Sequence, residues 1–187
     1  MKARSMSCKL FVLGSAIAML SACGVAEPAP VIEKKSDGKL SSSDEIPAPK
    51  SETILSVTGA VTQSNSAKGI EFDMRTLEQM PITEVTVYEP FLKKDTSFSG
   101  IMMDDFVEIV GAENASALLM TALDDFQATL SIPVLTSSTV MLATREEGER
   151  MKPRAGGPIR IVFLENEGPG ANTDNWIWSV AHMKFER

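Results

Sequence analysis

Thiols, imidazoles and long apolar runs are what this chain has least of. Its 187 residues include 2 cysteines and 1 histidine. Cys8 sits in a leader expected to be cleaved, which leaves Cys23 as the only cysteine of the mature chain. One thiol excludes an internal disulfide, a cysteine-based zinc site, and a thiolate nucleophile or metal ligand in the folded part. The single histidine, His182, lies near the C-terminus without any Gly-x-Ser-x-Gly elbow, so a serine-hydrolase triad is not expected. It reads as a half-exposed histidine on a terminal strand, and it is too little for a zinc or haem site. Asp104-Asp105 and Asp124-Asp125 lack the Asp-x-Asp-x-Asp-Gly spacing of a calcium loop and read as a helix start and a turn. The methionines are dispersed, as core gap-fillers are. Neither a catalytic residue nor a metal site is predicted.

The charge is lopsided, with a formal net value of -7. Lys2, Arg4 and Lys9 open the chain, an apolar run fills residues 10–20, and Ser21 and Ala22 precede Cys23. That is the layout of a secretory signal peptide, and the run is too short and wrongly flanked to span a membrane. Leu20-Ser21-Ala22-Cys23 resembles the bacterial lipobox. The resemblance implies a signal peptide over residues 1–22 and lipidation of Cys23, by palmitate or a similar acyl chain. Losing three cations takes the charge from -7 to -10. Such a body is a poor nucleic-acid ligand and is not drawn to anionic headgroups. Acyl chains would therefore make the membrane contact. Gly24, in place of an Asp after the lipidated cysteine, implies residence in the cell envelope, at the outer membrane and facing the periplasm.

Residues 23–53 comprise that cysteine and a stretch rich in Pro, Ser and charge, expected as a disordered tether spanning roughly 30 Å. Residues 54–187 read as one domain. Strands are predicted over residues 54–61, 83–88, 117–122, 126–132, 139–144, 159–164 and 176–185. A short helix over residues 74–80 takes Asp73 as N-cap and stops at Pro81. A second follows Gly100, where Met103, Phe106, Val107 and Val110 keep helical spacing and Gly111 ends it. Residues 89–99 read as a loop, and Asp124-Asp125 as a hairpin turn. In the last strand Trp176, Trp178 and Val180 share a face from which Met183 and Phe185 are out of phase. A bulge near Ala181-His182 reconciles them. The two tryptophans are expected in the core. Strands without βαβ alternation, and few helices, make an α+β fold with mixed sheets.

The least ordinary stretch is residues 141–164: a strand, a turn at Glu147-Gly148, a basic connector, a Gly-Gly-Pro break and a second strand. It carries Arg145, Arg150, Lys152, Arg154 and Arg160. Arg145 and Arg154 are candidates to grip an anion, since guanidinium matches carboxylate or phosphate bidentately. The competing reading pairs these cations with Glu146, Glu147, Glu149 and the acidic loops.

From Leu55 onward the order of motifs resembles the sulfite-oxidase-like molybdopterin-dependent oxidoreductase family, in its short single-domain bacterial form. The matching pieces are Leu55-Ser56-Val57-Thr58-Gly59, Phe72-Asp73 with Leu77 and Pro81, Phe98-Ser99-Gly100, Val110-Gly111, Ala122 to Phe126, and Ile132-Pro133. Leu142-Ala143-Thr144-Arg145 with Gly148, Met151, Arg154 and Gly157-Pro158-Ile159 is the strongest block, and Trp176-Ile177-Trp178 closes the set. The resemblance implies a sulfite-oxidase-like fold. It also implies a cysteine ligand to molybdenum near residues 85–91, where this chain offers only Tyr88 and Glu89. The expectation is therefore a periplasmic lipoprotein whose domain lacks the metal ligand, holds no cofactor, and binds a small anion or a protein partner as an accessory or sensory module. The alternatives are an active molybdopterin-dependent oxidoreductase of the sulfite or sulfoxide type, and a structural envelope lipoprotein.

Overall fold

Alternation of apolar and polar residues builds most of this molecule. The computed structural model describes residues 30–187, so the expected signal peptide (residues 1–22) and Cys23 lie outside the described residues. In β4 (Ile82–Glu89) the buried phase runs Thr83, Val85, Val87 and Glu89. It pairs antiparallel with β5 (Lys94–Met102) across a turn at residues 90–93. These two are flanked by β1 (Val31–Ser36) on one side and by β8 (Val140–Glu146) and β10 (Arg160–Phe163) on the other, with β9 (Glu149–Arg150) paired to β8. The second sheet runs in the order β3 (Ile70–Phe72), β2 (Leu55–Gly59), β11 (Val180–Glu186), β6 (Ala117–Ala122) and β7 (Gln127–Ser131). Within it β11 is parallel to β2 and antiparallel to β6.

Three short helices complete the α+β fold. In α1 (Met74–Leu77) the buried Asp73 caps the first turn by accepting from the Thr76 N–H at 2.7 Å. In α2 (Met103–Val110) Met103, Phe106, Val107, Ile109 and Val110 are buried, and Asp104 and Asp105 sit in the first turn, where the helix dipole favours negative charge. Gly111 ends it with φ 68°, a left-handed conformation that glycine adopts without penalty. Pro133 does not merely end β7; it opens α3 (Ile132–Leu135) from a first-turn position, where its missing N–H costs nothing. Side chains of both sheets and of α2 join one apolar core.

Segment 176–180 joins the two sheets. Ile161 N–H donates to Ile177 O and Val180 N–H to Ile159 O, while Leu123 N–H donates to Ser179 O across to the other sheet.

Several expectations change in the folded chain. Residues 31–53 are not a free tether: β1 pairs with β4, Leu40 and Ile46 are buried, and Leu40 N–H bonds Gln79 O. Asp73 also accepts from the backbone N–H groups of Lys50 and Ser51. Few anchors suffice because the domain supplies the acceptors. Residues 94–99 form strand rather than loop, since β4 offers them a hydrogen-bonding edge. Trp176 and Trp178 precede β11 instead of lying on it, while the register shift between Val180 and His182 is the expected bulge. His182 is exposed. Glu147 and Gly148 both have positive φ, as a tight two-residue reversal requires.

Candidate functional site

The inward phase of β4 delivers a carboxylate into the core. Glu89 is fully buried, and its Oε1 accepts from Arg160 Nη2 at 2.7 Å. Arg160, at the start of β10, is only 1% exposed. Its Nη1 lies 3.7 Å from Glu146 Oε2. The second oxygen of Glu89 accepts the Leu92 N–H, so one carboxylate ties the β4–β5 turn to β10, the last strand of the same sheet. Burial pulls the Arg160 pKa down, and the hydrogen bond and charge of Glu89, then Glu146, oppose it. A guanidinium has enough reserve to remain protonated regardless.

Aromatic rings enclose this pair. The guanidinium carbon lies 4.5 Å from the Trp178 ring centroid and 5.1 Å from that of Phe98. Phe91, at the tip of the β4–β5 turn, meets Trp178 edge-on with centroids 5.1 Å apart. Beside them opens a cleft of about 300 Å³, walled by Phe91, Phe126, Trp176 and Trp178 with Asp124 and Asp174 at hand. Trp176 is fixed by its indole N–H donating to Gly170 O at 2.8 Å. The buried Nε of Arg160 and Nε1 of Trp178 have no hydrogen-bond partner among the described residues.

Gly156 packs against the Trp178 indole. Its φ is 84°, and a Cβ there would stand 2.9 Å from Trp178 Cε3 and 3.1 Å from Cδ2. The indole cannot retreat, because Arg160 is stacked on it. Gly156→Ala is expected to lose about 1–3 kcal/mol, from the left-handed backbone and the overpacking together. Urea unfolding with tryptophan fluorescence measures it; an unchanged midpoint would mean that the indole has room to move.

The residues singled out from sequence fall elsewhere. Arg145 donates through Nε to Glu78 Oε1 at 3.0 Å, and Arg150 Nη2 lies 2.6 Å from Glu78 Oε2, so one carboxylate serves two guanidiniums. Arg154 is exposed on the short 3-10 turn Pro153–Ala155 and has no ion pair among the described residues. The two are not brought together around a shared partner. Glu89 and Arg160 escaped the sequence reading as a site. The signal was the strand phase: extending 83, 85, 87 by one step puts position 89 on the buried face.

Molybdopterin, the cofactor the resemblance implies, needs a thiolate for its metal and cations for its pterin phosphate. Residues 30–187 contain no cysteine. Near residues 85–91 the inward oxygen ligand, Glu89, is already held by Arg160 and Leu92. Two further clefts, of about 470 and 460 Å³, both carry Glu165 and Glu167 and no Lys or Arg. Acidic walls repel a phosphate. The residues at 85–91 and those lining these two clefts do not fit the group.

Comparison with known proteins agrees with the architecture. The fold resembles that of the sulfane dehydrogenase SoxCD from Paracoccus pantotrophus, with a TM-score of 0.53 at 17% identity. The match covers 70% of this chain and 37% of that one, so the chain spans little more than a third of the dehydrogenase chain it matches. No curated protein matches the sequence. The model of the oxidoreductase molybdopterin binding domain matches residues 88–186, more than half of the chain, and the chain belongs to that family.

Proposed function

We propose that this protein is a non-catalytic, ligand-binding member of its family, held in the periplasm by a lipidated Cys23 at the outer membrane. The observation that carries the reading is Glu89. Among the described residues, the only inward donor near the expected metal-ligand region is a carboxylate neutralised by Arg160, with both oxygens in use. A fold does not bring its chemistry with it. The ligand-binding module is acidic and not a nucleic-acid partner. Arg145 and Arg154 are its candidate anion contacts; Arg154 has no ion pair among the described residues, whereas Arg145 must exchange Glu78 for the ligand.

The test is metal and pterin content. Residues 24–187, exported behind a cleavable signal in a host that makes molybdenum cofactor, are expected to purify folded, with molybdenum far below stoichiometric and without pterin fluorescence. Near-stoichiometric molybdenum with pterin would overturn the reading in favour of an active oxidoreductase.

A further inference from the structure

The cleft beside Trp178 has walls of one chemistry and a rim of another. Phe91 and Phe126 are 48% and 45% exposed, unusual for rings held at fixed positions beside a core. Phe91 is fixed by its edge contact to Trp178, and its turn by the bond from Leu92 to Glu89. The backbone at Phe126 is held by its N–H donating to Asp124 Oδ1 at 3.2 Å. Asp124 and Asp174 are exposed and have no ion-pair partner among the described residues. No Lys or Arg among the described residues lines the cleft. Its volume, about 300 Å³, is that of a small-molecule site.

Aromatic faces attract cations through the ring quadrupole, most strongly where water is partly excluded. Two unpaired carboxylates at the same opening add a field of the same sign. An anion meets repulsion from both. We infer that this cleft is a binding site for a soluble organic ammonium ion, seated between Phe91 and Phe126 with its charge toward Asp124 and Asp174. The inference rests on the non-catalytic, ligand-binding reading above and adds a cation site apart from the anion contacts proposed at Arg145 and Arg154.

The probes are choline and its neutral isostere 3,3-dimethylbutan-1-ol, titrated into residues 24–187 at constant ionic strength and followed by the indole N–H resonances. Choline is expected to move the Trp178 signal saturably, and the isostere to bind about tenfold more weakly or worse. Asp124→Asn with Asp174→Asn, which keeps the Asp124 turn acceptor, is expected to weaken choline by about tenfold. Phe126→Ala should do so without altering the fold. Equal binding of the isostere, absence of saturation, or binding only to choline-headgroup vesicles would overturn the assignment. Molybdenum measured on the same preparation separates the two failures: metal-free protein that ignores choline refutes this site alone, while metal-loaded protein refutes the function it rests on.

Discussion

Glu89→Ala is expected to destabilise the domain by about 3–5 kcal/mol, a large share of the stability of a chain this size. The cost does not come from the value of the ion pair itself. A buried pair barely repays the desolvation of its two charges, but removing one member leaves the other charged in a place that water does not reach. Arg160 would keep only Glu146, 3.7 Å away and partly exposed, as a counter-charge. The Leu92 N–H would lose its acceptor as well. Arg160→Met is expected to cost a similar amount by leaving Glu89 as the orphan. Combining Arg160→Met with Glu89→Gln removes both charges while keeping an acceptor for Leu92. The double variant should therefore lose less than the separate losses of Glu89→Gln and Arg160→Met added, by about 2 kcal/mol or more. Urea midpoints at constant m-value give the cycle. Strict additivity would show that the two residues do not sense each other. The single variants should also loosen the turn carrying Phe91, so the edge contact with Trp178 reports the same event locally.

What the sequence made legible was its periodic part. Strand alternation located β6 and β8, the helical spacing of Met103, Phe106, Val107 and Val110 located α2, and a phase break anticipated the bulge at Ala181-His182. What stayed hidden depends on partners distant along the chain. Glu89 looked like the first residue of a loop because its partner is 71 positions away. Residues 94–99 looked like a loop because their polar side chains gave no hint that β4 would pair with them. Residues 31–53 looked like a tether because two buried side chains and a few backbone bonds leave almost no compositional trace. Arg145 stayed open between an anion and a nearby carboxylate because Glu78, which neutralises it, lies in another element. Trp176 and Trp178 gave a misleading alternation: they occupy the segment that joins the sheets, where backbone bonds run to both.

Asp73 should prove the second most sensitive residue, and the one that makes stability depend on acid. Its Oδ1 accepts from Thr76 N–H, and its Oδ2 accepts from Lys50 N–H at 2.9 Å and from the N–H and hydroxyl of Ser51 at 3.0 Å each. Burial works to raise its pKa, but the bonds from Thr76, Lys50 and Ser51 together outweigh it and hold the carboxyl well below its ordinary value of 3.8. Asp73→Asn replaces one accepting oxygen by an NH2 group. Whichever way the amide turns, either the helix cap or the 50–51 segment then faces a donor. The expected loss is about 2–4 kcal/mol at neutral pH, combining a lost cap with lost bonds to a charged acceptor. The sign of the pH effect follows from the depressed folded pKa. The stabilisation by ionised Asp73 is fully present above the ordinary carboxyl range and drains away as pH falls from about 5 toward the folded value. The gap between native protein and Asp73→Asn should thus be constant from pH 7 to about 5 and shrink steadily below it. A gap that stays constant down to pH 3 would mean that the carboxylate is not ionised against those donors, and that the 31–53 segment is fastened by something other than charge.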